Sequence, residues 1–394
     1  MSDSIRQVLW AIIESTYGTC PTTPAFDFVR QTGNSLALAQ GVVKNAEIYA
    51  DRQMRGLKMG QRQVGGKISG VLSYGTYDKF LAGALQSTWA AKNAPYAAGT
   101  ISATASDNSI NDSANGFPSL VAGDKITIAG FTGGSTTANQ SDLKVVSATA
   151  SKIIVSGGVA FIDDAAGETV TVTTLTNRLK AGLTRQSMSL LRNFTDLADG
   201  SPNQPWHLFT GCEVETMSLG IMSGDKDTTV EFDILGQNET IANTAPGSST
   251  FGSASTTPTI ASFTGTIKEG GSTIAIVTEL TIKLANSLAV RPVVGTNLTR
   301  LPSVGPSDVT GQLTAFFEDS SLLAKFLAGT ATAFDFTLLD SAGNAYRIQI
   351  PNLIYTGGGE PDVKGSGPLT QALPWQALFD TTTGSNIVID RIPA

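Results

Sequence analysis

The sequence contains little histidine, cysteine or charge. Its 394 residues include one histidine, His207, two cysteines, Cys20 and Cys212, and only 15% charged residues. A single histidine argues against a histidine-rich metal site, and two cysteines are too few for a disulfide framework or a zinc cluster. We therefore predict no metal and no cofactor, and synthesis in a reducing compartment.

Long hydrophobic runs and an excess of positive charge are also missing. The sequence has no run of about 18 apolar residues, so no membrane span is predicted. The apolar N-terminal residues Ile5 to Ile13 lack the basic start and the cleavage site of a signal peptide. The net charge of −7 argues against a general nucleic-acid binder, which needs a basic surface to neutralise phosphates.

Glycine, serine and threonine are abundant instead, a composition typical of many short strands and turns. Residues 96–176 form a compositionally distinct zone with four short strand patterns separated by glycine turns. The four lie at 126–128, 143–145, 153–155 and 169–173. This pattern predicts a small inserted β module. Residues 238–259 are polar and small and have the composition of a linker. Further strands are predicted near 183–193, 208–220 and 228–236.

Two segments of the chain resemble each other. Asn34-Ser35-Leu36-Ala37 recurs at 286–289, and Lys79-Phe80-Leu81-Ala82-Gly83 recurs at 325–329. Each copy of the second motif follows a similar strand, which begins near Val64 and Val309 respectively. The recurrence predicts a tandem duplication, with a short helix near residues 78–85 and another near 322–327. We expect Thr76, Tyr77 or Asp78 to cap the first of these helices.

Motifs of enzymatic catalysis are missing from the sequence. It contains neither a nucleophile elbow nor a P-loop, and His207 has no second histidine or cysteine near it in sequence. We therefore expect His207 to pack or to form a hydrogen bond. Residues 225–227, which could be read as an acidic metal site, are better explained as a hairpin turn.

Two charge patterns suggest surfaces that contact partners. Segment 44–67 is basic and flexible, and it is either a solvated hairpin, a tip that docks on an acidic surface of a neighbouring copy or, less favourably, a DNA-binding patch. Its predicted contact residues are Arg52, Arg55, Lys58, Met59 and Arg62. The second pattern places acidic residues on one side of two paired strands, opposite apolar ones, and these residues are Glu213, Glu215, Glu231 and Asp233.

Several strand-and-turn stretches point to a known family. They are residues 185–196, 208–219, 228–236, 346–353 and 375–378. In these stretches the sequence resembles the major tail tube proteins of long, non-contractile-tailed bacteriophages. The resemblance covers most of 1–90 and 178–394, and the insert is similar to the Ig-like modules that decorate phage tails.

The resemblance implies a mainly β fold with two tandem tail-tube-like β-sandwich or barrel domains, each with a short flanking helix, plus a small Ig-like insert. The first domain would comprise 1–95 plus 177–237, the insert 96–176, the linker 238–259 and the second domain 260–394. The protein would be a non-enzymatic virion protein, made in the host cytoplasm, that assembles into stacked rings. Those rings would form a hollow tube for genome delivery.

The resemblance also implies partners and roles. Rings of three chains are preferred over six because each chain carries two domains, and the tube would meet the tail terminator, baseplate or tip proteins and the tape measure protein. The tip residues Arg52, Arg55, Lys58, Met59 and Arg62 would bridge stacked rings. The acidic residues Glu213, Glu215, Glu231 and Asp233 would line a lumen through which DNA passes without specific binding.

Two other classes of protein stay open on the sequence alone. An extracellular fimbrial or adhesin-type β protein shares the Thr/Gly-rich strands, although it would need a signal peptide. A polysaccharide-acting enzyme of β architecture would need paired carboxylates and clustered exposed aromatic residues, and the 4 Trp and 7 Tyr show no such clustering.

Overall fold

The computed structural model describes residues 3–47, 50–51, 53–54, 56–224, 226–262, 265–358, 361 and 367–394. The fold is mainly β, as predicted, with two short α-helices in the described part of the chain. The first elements are β1 (Gln7–Ile13), β2 (Ala25–Phe28), β3 (Gly33–Asn34), β4 (Ala37–Lys44), β5 (Leu57–Val71), α1 (Asp78–Ala84) and β6 (Ala90–Ala91).

The insert, residues 96–176, folds around its own core. Its antiparallel sheet has the strand order β7-β13-β10-β11-β12-β9-β8, and apolar residues such as Ile126, Ile153 and Val172 fill its buried side. Four of these strands were expected from sequence and three were not. The strands are β7 (Tyr96–Ala98), β8 (Ile101–Thr104), β9 (Ser109–Asp112), β10 (Lys125–Ala129), β11 (Leu143–Ala148), β12 (Lys152–Ser156) and β13 (Val170–Thr174).

After the insert the chain returns to the first sheet. The long strand β16 pairs through its first half with β15 and β18, and through its second half with β17. The predicted turn between β16 and β17 is present, and Asp225 within it lies outside the described residues. The elements are β14 (Asn177–Lys180), β15 (Met188–Phe194), β16 (Trp206–Met222), β17 (Thr229–Gly236), β18 (Asn238–Ala242) and β19 (Thr250–Phe251).

The last third of the chain contributes ten strands and the second helix. They are β20 (Thr266–Glu269), β21 (Ser272–Thr273), β22 (Val277–Ala285), β23 (Ala289–Arg291), β24 (Arg300–Ser303), β25 (Asp308–Phe316), α2 (Ser321–Ala328), β26 (Thr332–Leu339), β27 (Ala345–Tyr355), β28 (Thr370–Ala377) and β29 (Val388–Ile392). Eight of these strands belong to the large sheet that they share with the first half of the chain, whereas β23 and β24 pair with each other in a separate two-stranded sheet. No closed barrel occurs within the described residues.

One apolar core serves both halves of the chain outside the insert. It runs from Leu9 in β1 to Ile389 in β29 and includes Phe232 and Trp375. The segment from 238 to 259 lies against this body, because β18 pairs with β16 and β19 pairs in parallel with β2.

Helix α1 differs from expectation at its N-terminus. The predicted capping of α1 is wrong, since none of its side chains caps the helix. Thr76 instead accepts a hydrogen bond from Ser73, and Asp78 accepts one from Tyr346. Helix α2 ends at Gly329, which has φ +60° and whose N–H donates to the carbonyls of Lys325 and Phe326 in the last turn. Neither described helix is long enough to span a bilayer.

Candidate functional site

A single polar sheet face runs across both halves of the chain. Six strands pair in the order β5–β17–β16–β22–β25–β28. Because successive side chains of a strand point to opposite faces, one side of this sheet is buried and the other accessible. In β22, Leu280, Ile282 and Leu284 are buried, whereas Lys283 is exposed. The accessible face also carries Ser69, Ser218, Thr281, Thr310, Gln312, Thr314 and Gln376.

Two of the predicted acidic residues lie on this accessible face. Glu231 and Asp233 in β17 stand opposite Ser69 and Lys67 in β5. Lys67 Nζ lies 2.6 Å from Glu231 Oε1 and 3.6 Å from Asp233 Oδ1. The hydrogen bond from Lys67 lowers the pKa of Glu231 below its usual range. Two carboxylates therefore share one ammonium group, which leaves this patch with a net negative charge.

The other two predicted acidic residues are less accessible. Glu215 sits at a register shift between Val214 and Thr216, and burial raises its pKa. Glu213 is 4% exposed and forms an ion pair with Arg185. Burial raises the pKa of Glu213, and the Arg185 guanidinium opposes that shift. Glu213 thus presents no open charge to solvent in the single chain.

The basic segment 44–67 begins at the end of β4 and continues into β5, so it includes the tip of the β4–β5 hairpin. Lys58 and Met59 are exposed near this tip, Met59 by 59%. Arg52 and Arg55 lie outside the described residues. Other apolar side chains are also exposed on the hairpin, namely Val42, Val43, Met54 and Leu57.

Arg62 is separated from the exposed tip. Its guanidinium donates to Asn238 Oδ1 at 3.2 Å, and its backbone N–H donates to the Asn297 carbonyl at 2.8 Å. The arm between β23 and β24 therefore lies alongside the hairpin, a contact that the sequence does not predict. His207 has the expected hydrogen-bonding role, with its Nδ1 2.7 Å from Glu239 Oε1.

The two halves of the chain are joined by backbone pairing. Strand β16 meets β22 in seven consecutive residue pairs, from Thr216 opposite Ala285 to Met222 opposite Glu279. This junction makes one continuous sheet from strands that lie far apart in sequence. The alternation of Leu280, Ile282 and Leu284 was a sequence signal for β22, but nothing in the sequence identified its partner.

The strands on either side of the junction occupy equivalent positions. Val64 in β5 stands opposite Leu38 and Gly236. Val309 in β25 stands opposite Leu284 on one side, while the strand on its other side is β28. Thus β4–β5–β17 corresponds to β22–β25–β28, and a helix follows β5 and β25 alike.

The Asn-Ser-Leu-Ala repeat does not follow this correspondence. Leu38, just after the first copy, is equivalent to Leu284, which lies before the second copy at Asn286. The two four-residue motifs are therefore structurally unrelated, whereas the two strand-helix motifs match.

Two strand edges lack a full set of partners. Strand β4 pairs with β5 alone among the described strands. At the other end, β28 pairs with β25 along its whole length. Strand β27 pairs with β28 only through its own last three residues, which end at Tyr355 opposite Trp375. Unpaired N–H and C=O groups on such edges can extend a sheet with another chain.

Comparison with known families assigns the chain to one of them. The family model described as "Phage tail tube protein" matches residues 4–377, which is nearly the whole chain. No curated protein matches the sequence.

Proposed function

The chain belongs to the phage tail tube protein family, a structural component of the virion tail, and from its sheet edges we propose how it assembles. Copies join edge to edge into rings, the rings stack, and the hollow tube delivers the genome into the host. The single observation that carries this proposal is the β16–β22 junction, because it is a sheet extension between two units of like topology already built inside one chain.

The junction supplies a register for contacts between copies. Thr216 stands opposite Asp233 in β17. At the equivalent place in the second unit, the Thr356 N–H donates to the carbonyl of Pro374 in β28 at 2.9 Å. Thr356 therefore corresponds to Thr216. Ala39 in β4 corresponds to Ala285 in β22 in the same way. Since Thr216 pairs with Ala285 inside the chain, Thr356 would pair with Ala39 of the next copy.

The number of chains in one ring is inferred from the number of sheet-forming units in each chain. Each chain supplies two sheet-forming units, so three chains provide six positions around a ring. Six chains would provide twelve positions and a wider lumen. We favour three.

The accessible polar face of the six-strand sheet would form the lumen wall. Hydroxyl and amide side chains offer no continuous basic surface to phosphates, and the Glu231–Asp233 patch repels them. DNA would therefore pass without specific binding. Glu215 would add to the lumen charge, whereas Glu213 would act within the wall, paired with Arg185.

Open edges in the unassembled chain require control. The ends of the tube would be closed by tail terminator and baseplate or tip proteins, and the tape measure protein would occupy the lumen during assembly. A chaperone or initiator complex would keep free subunits from polymerising through their edges.

Cysteine cross-linking tests the proposed register and counts the ring. In a Cys20→Ser background, Ala39→Cys and Thr356→Cys are introduced together and assembled tubes are oxidised. Paired strands bring Cα atoms to about 4.5–5.5 Å, which a disulfide can bridge. We expect a ladder of linked chains on a denaturing gel that ends at three.

The pair Thr216→Cys and Ala285→Cys is the matched control, because it should link within one chain and give no ladder. A control pair that oxidises while the Ala39–Thr356 pair stays reduced in assembled tubes would contradict the edge register. A ladder ending at six would favour the larger ring.

A further inference from the structure

Lys92 lies beside two carboxylates that are closed off from solvent. Its Nζ is 2.5 Å from Asp124 Oδ2 and 3.8 Å from Asp390 Oδ2, and all three side chains are at most 3% exposed. Burial lowers the pKa of Lys92, because desolvation disfavours the charged amine. A buried lysine that gives up its proton is a nucleophile.

The carboxyl group of Asp124 is fixed beside this amine. The Val121 N–H donates to Asp124 Oδ2 at 2.9 Å, and the Thr176 hydroxyl donates to Asp124 Oδ1 at 3.4 Å. Both oxygens are therefore held in place. A backbone N–H aimed at a carboxyl oxygen also stabilises negative charge that develops on that oxygen.

Asp390 is a second carboxylate at the same point. Arg178 Nε and Nη2 donate to its two oxygens at 2.6 and 2.7 Å, so its orientation is fixed. A group that carries protons must come within hydrogen-bond reach of the reacting atom, and such contacts are often long before the reaction and tighten during it. The 3.8 Å between Asp390 Oδ2 and Lys92 Nζ is such a contact.

We propose that Lys92 and Asp124 become joined by an amide bond, with Asp390 carrying the protons. The structure shows the pair before this reaction, as an ion pair. The Nζ lone pair attacks Asp124 Cγ, an N–C bond forms, and the Cγ–Oδ1 bond breaks. Of the three protons on the ammonium group, one stays on the amide nitrogen and two leave with Oδ1 as water. Asp390 ends in the protonation state in which it began, and no other reactant is needed.

The bond would tie the insert to the first half of the chain. Lys92 precedes the insert and Asp124 lies inside it, just before β10, so the amide closes a loop that contains β7, β8 and β9. A closed loop lowers the entropy of the unfolded chain and thereby stabilises the folded one. The bond forms within one chain, so it is independent of the proposed ring assembly.

Lys67 has the same arrangement of groups in contact with water. Its Nζ lies 2.6 Å from Glu231 and 3.6 Å from Asp233, but the lysine is 54% exposed and the carboxylates 35% and 31%. The hydrogen bond to Glu231 raises the pKa of Lys67. This amine therefore stays charged and has no lone pair for attack. We expect no amide bond at Lys67, which makes it the matched control inside the same protein.

Tryptic digestion followed by mass spectrometry tests the bond at its site. Trypsin cuts after a lysine only if the amine is free, so an unlinked chain gives separate peptides 80–92 and 93–125. The linked chain should give one peptide, 80–125, that is lighter than its sequence by one water molecule. Cleavage after Lys67 in the same digest should be complete.

Variants identify the reacting groups. Lys92→Arg and Asp124→Ala each remove one of the two joined groups, so both proteins should have their full sequence mass. Asp390→Asn removes the proton carrier, and Lys92 should then be cut by trypsin. Arg178→Gln is its matched control, because it breaks the same Arg178–Asp390 ion pair but keeps the carboxylate, and it should still link.

Complete cleavage after Lys92 and a full sequence mass in the folded parent protein would overturn the proposal. That result needs no variant to fold. A lost water that maps to a peptide without Lys92 and Asp124, or an equal loss of water at Lys67, would also contradict it. Linking of the Asp390→Asn protein as in the parent would show that Asp390 does not carry the protons.

Discussion

Lys92 and Asp124 form a buried ion pair that fastens the insert to the rest of the chain. Lys92 Nζ lies 2.5 Å from Asp124 Oδ2, and the two side chains are 3% and 0% exposed. Lys92 Nζ also lies 3.8 Å from the carboxylate of Asp390 in β29. Arg178 in β14 donates two hydrogen bonds to the same carboxylate. Burial lowers the pKa of Lys92, and both carboxylates oppose that shift. Both halves of the chain and the insert meet at this point.

Replacing Asp124 with Asn should therefore weaken the fold strongly. Removing one member of a buried ion pair leaves the other charge uncompensated, at a cost of about 3–5 kcal/mol. We expect the midpoint of urea unfolding to fall, with the insert losing protection first. A double variant, Lys92→Met with Asp124→Leu, should lose less than Asp124→Asn because both members of the pair are removed and Asp390 keeps its ion pair with Arg178.

Asp107 and Lys152 provide the matched exposed pair in the same module. Their charged atoms are 2.5 Å apart, but the side chains are 35% and 40% exposed. Asp107→Asn should leave the unfolding midpoint nearly unchanged, since water solvates both groups. Equal effects at Asp107 and Asp124 would show that burial does not set the strength of the pair.

The insert should lose stability in strong acid through Asp112. Burial alone would raise the pKa of this carboxyl, but hydrogen bonds from Thr100, Tyr96 and the N–H groups of Gly116 and Ala114 outweigh it and hold the pKa at about 2. The unfolded chain protonates the same group near its usual value of 3.8.

Because the folded pKa is the lower one, the stabilisation is complete above pH 3.8 and disappears as the pH falls through about 2. Thermal melts of the parent protein and of Asp112→Asn between pH 2 and 6 would measure it. The variant should be less stable at pH 6 and show a flatter pH dependence. Parallel curves for the two proteins would exclude Asp112 as the titrating group.

The sequence predicted the periodic elements better than the contacts between them. The strands predicted near 183–193, 208–220 and 228–236 correspond to β15, β16 and β17, and the Lys-Phe-Leu-Ala-Gly motif located both helices. Strands β7 to β9 were missed because they are short and rich in Ala, Ser and Asn, which have weak strand signals. The junction β16–β22 and the Lys92–Asp124 pair join residues distant in sequence, and a single sequence carries no signal for such pairs.

The segment that follows β18 should be released by removing one aromatic ring. Phe251 lies 4.9 Å from the ring of Trp10 and 5.6 Å from that of Trp206. Phe251→Ala removes these contacts, each worth about 0.5–1.5 kcal/mol beyond the area that they bury. We expect faster protease cleavage between residues 243 and 259 in the variant, whereas Phe251→Trp should keep the parent rate. Identical cleavage of all three proteins would mean that Phe251 does not hold the segment.

Reversing the charge of the lumen patch should trap DNA in the tube. Glu231→Lys together with Asp233→Lys would place three lysines side by side, with Lys67 between the new ones, and create a site for phosphates. Tubes should still form, and fluorescent DNA should then be retained in them at low salt and released as salt increases. Retention should be absent in tubes of a control variant that carries Lys125→Glu and Lys144→Glu, at residues that face each other in the insert. Tubes that never retain DNA would place this face away from the lumen.

Gly66 and Gly311 stand at equivalent positions, two residues after Val64 and Val309, and both should be intolerant of a side chain. A Cβ at Gly311 would overlap the Thr281 carbonyl oxygen and the indole of Trp375.

At Gly66 a Cβ would overlap the Ser35 carbonyl, and φ is +144°, which disfavours any other residue. Gly66→Ala and Gly311→Ala should each lower the free energy of unfolding by at least about 1–3 kcal/mol, measured by urea titration. Gly65, one residue away, has open space around its Cβ position and no positive φ. Gly65→Ala should therefore match the parent protein, and a loss at Gly65 as large as at Gly66 would show that the close approach of Ser35 is not the cause.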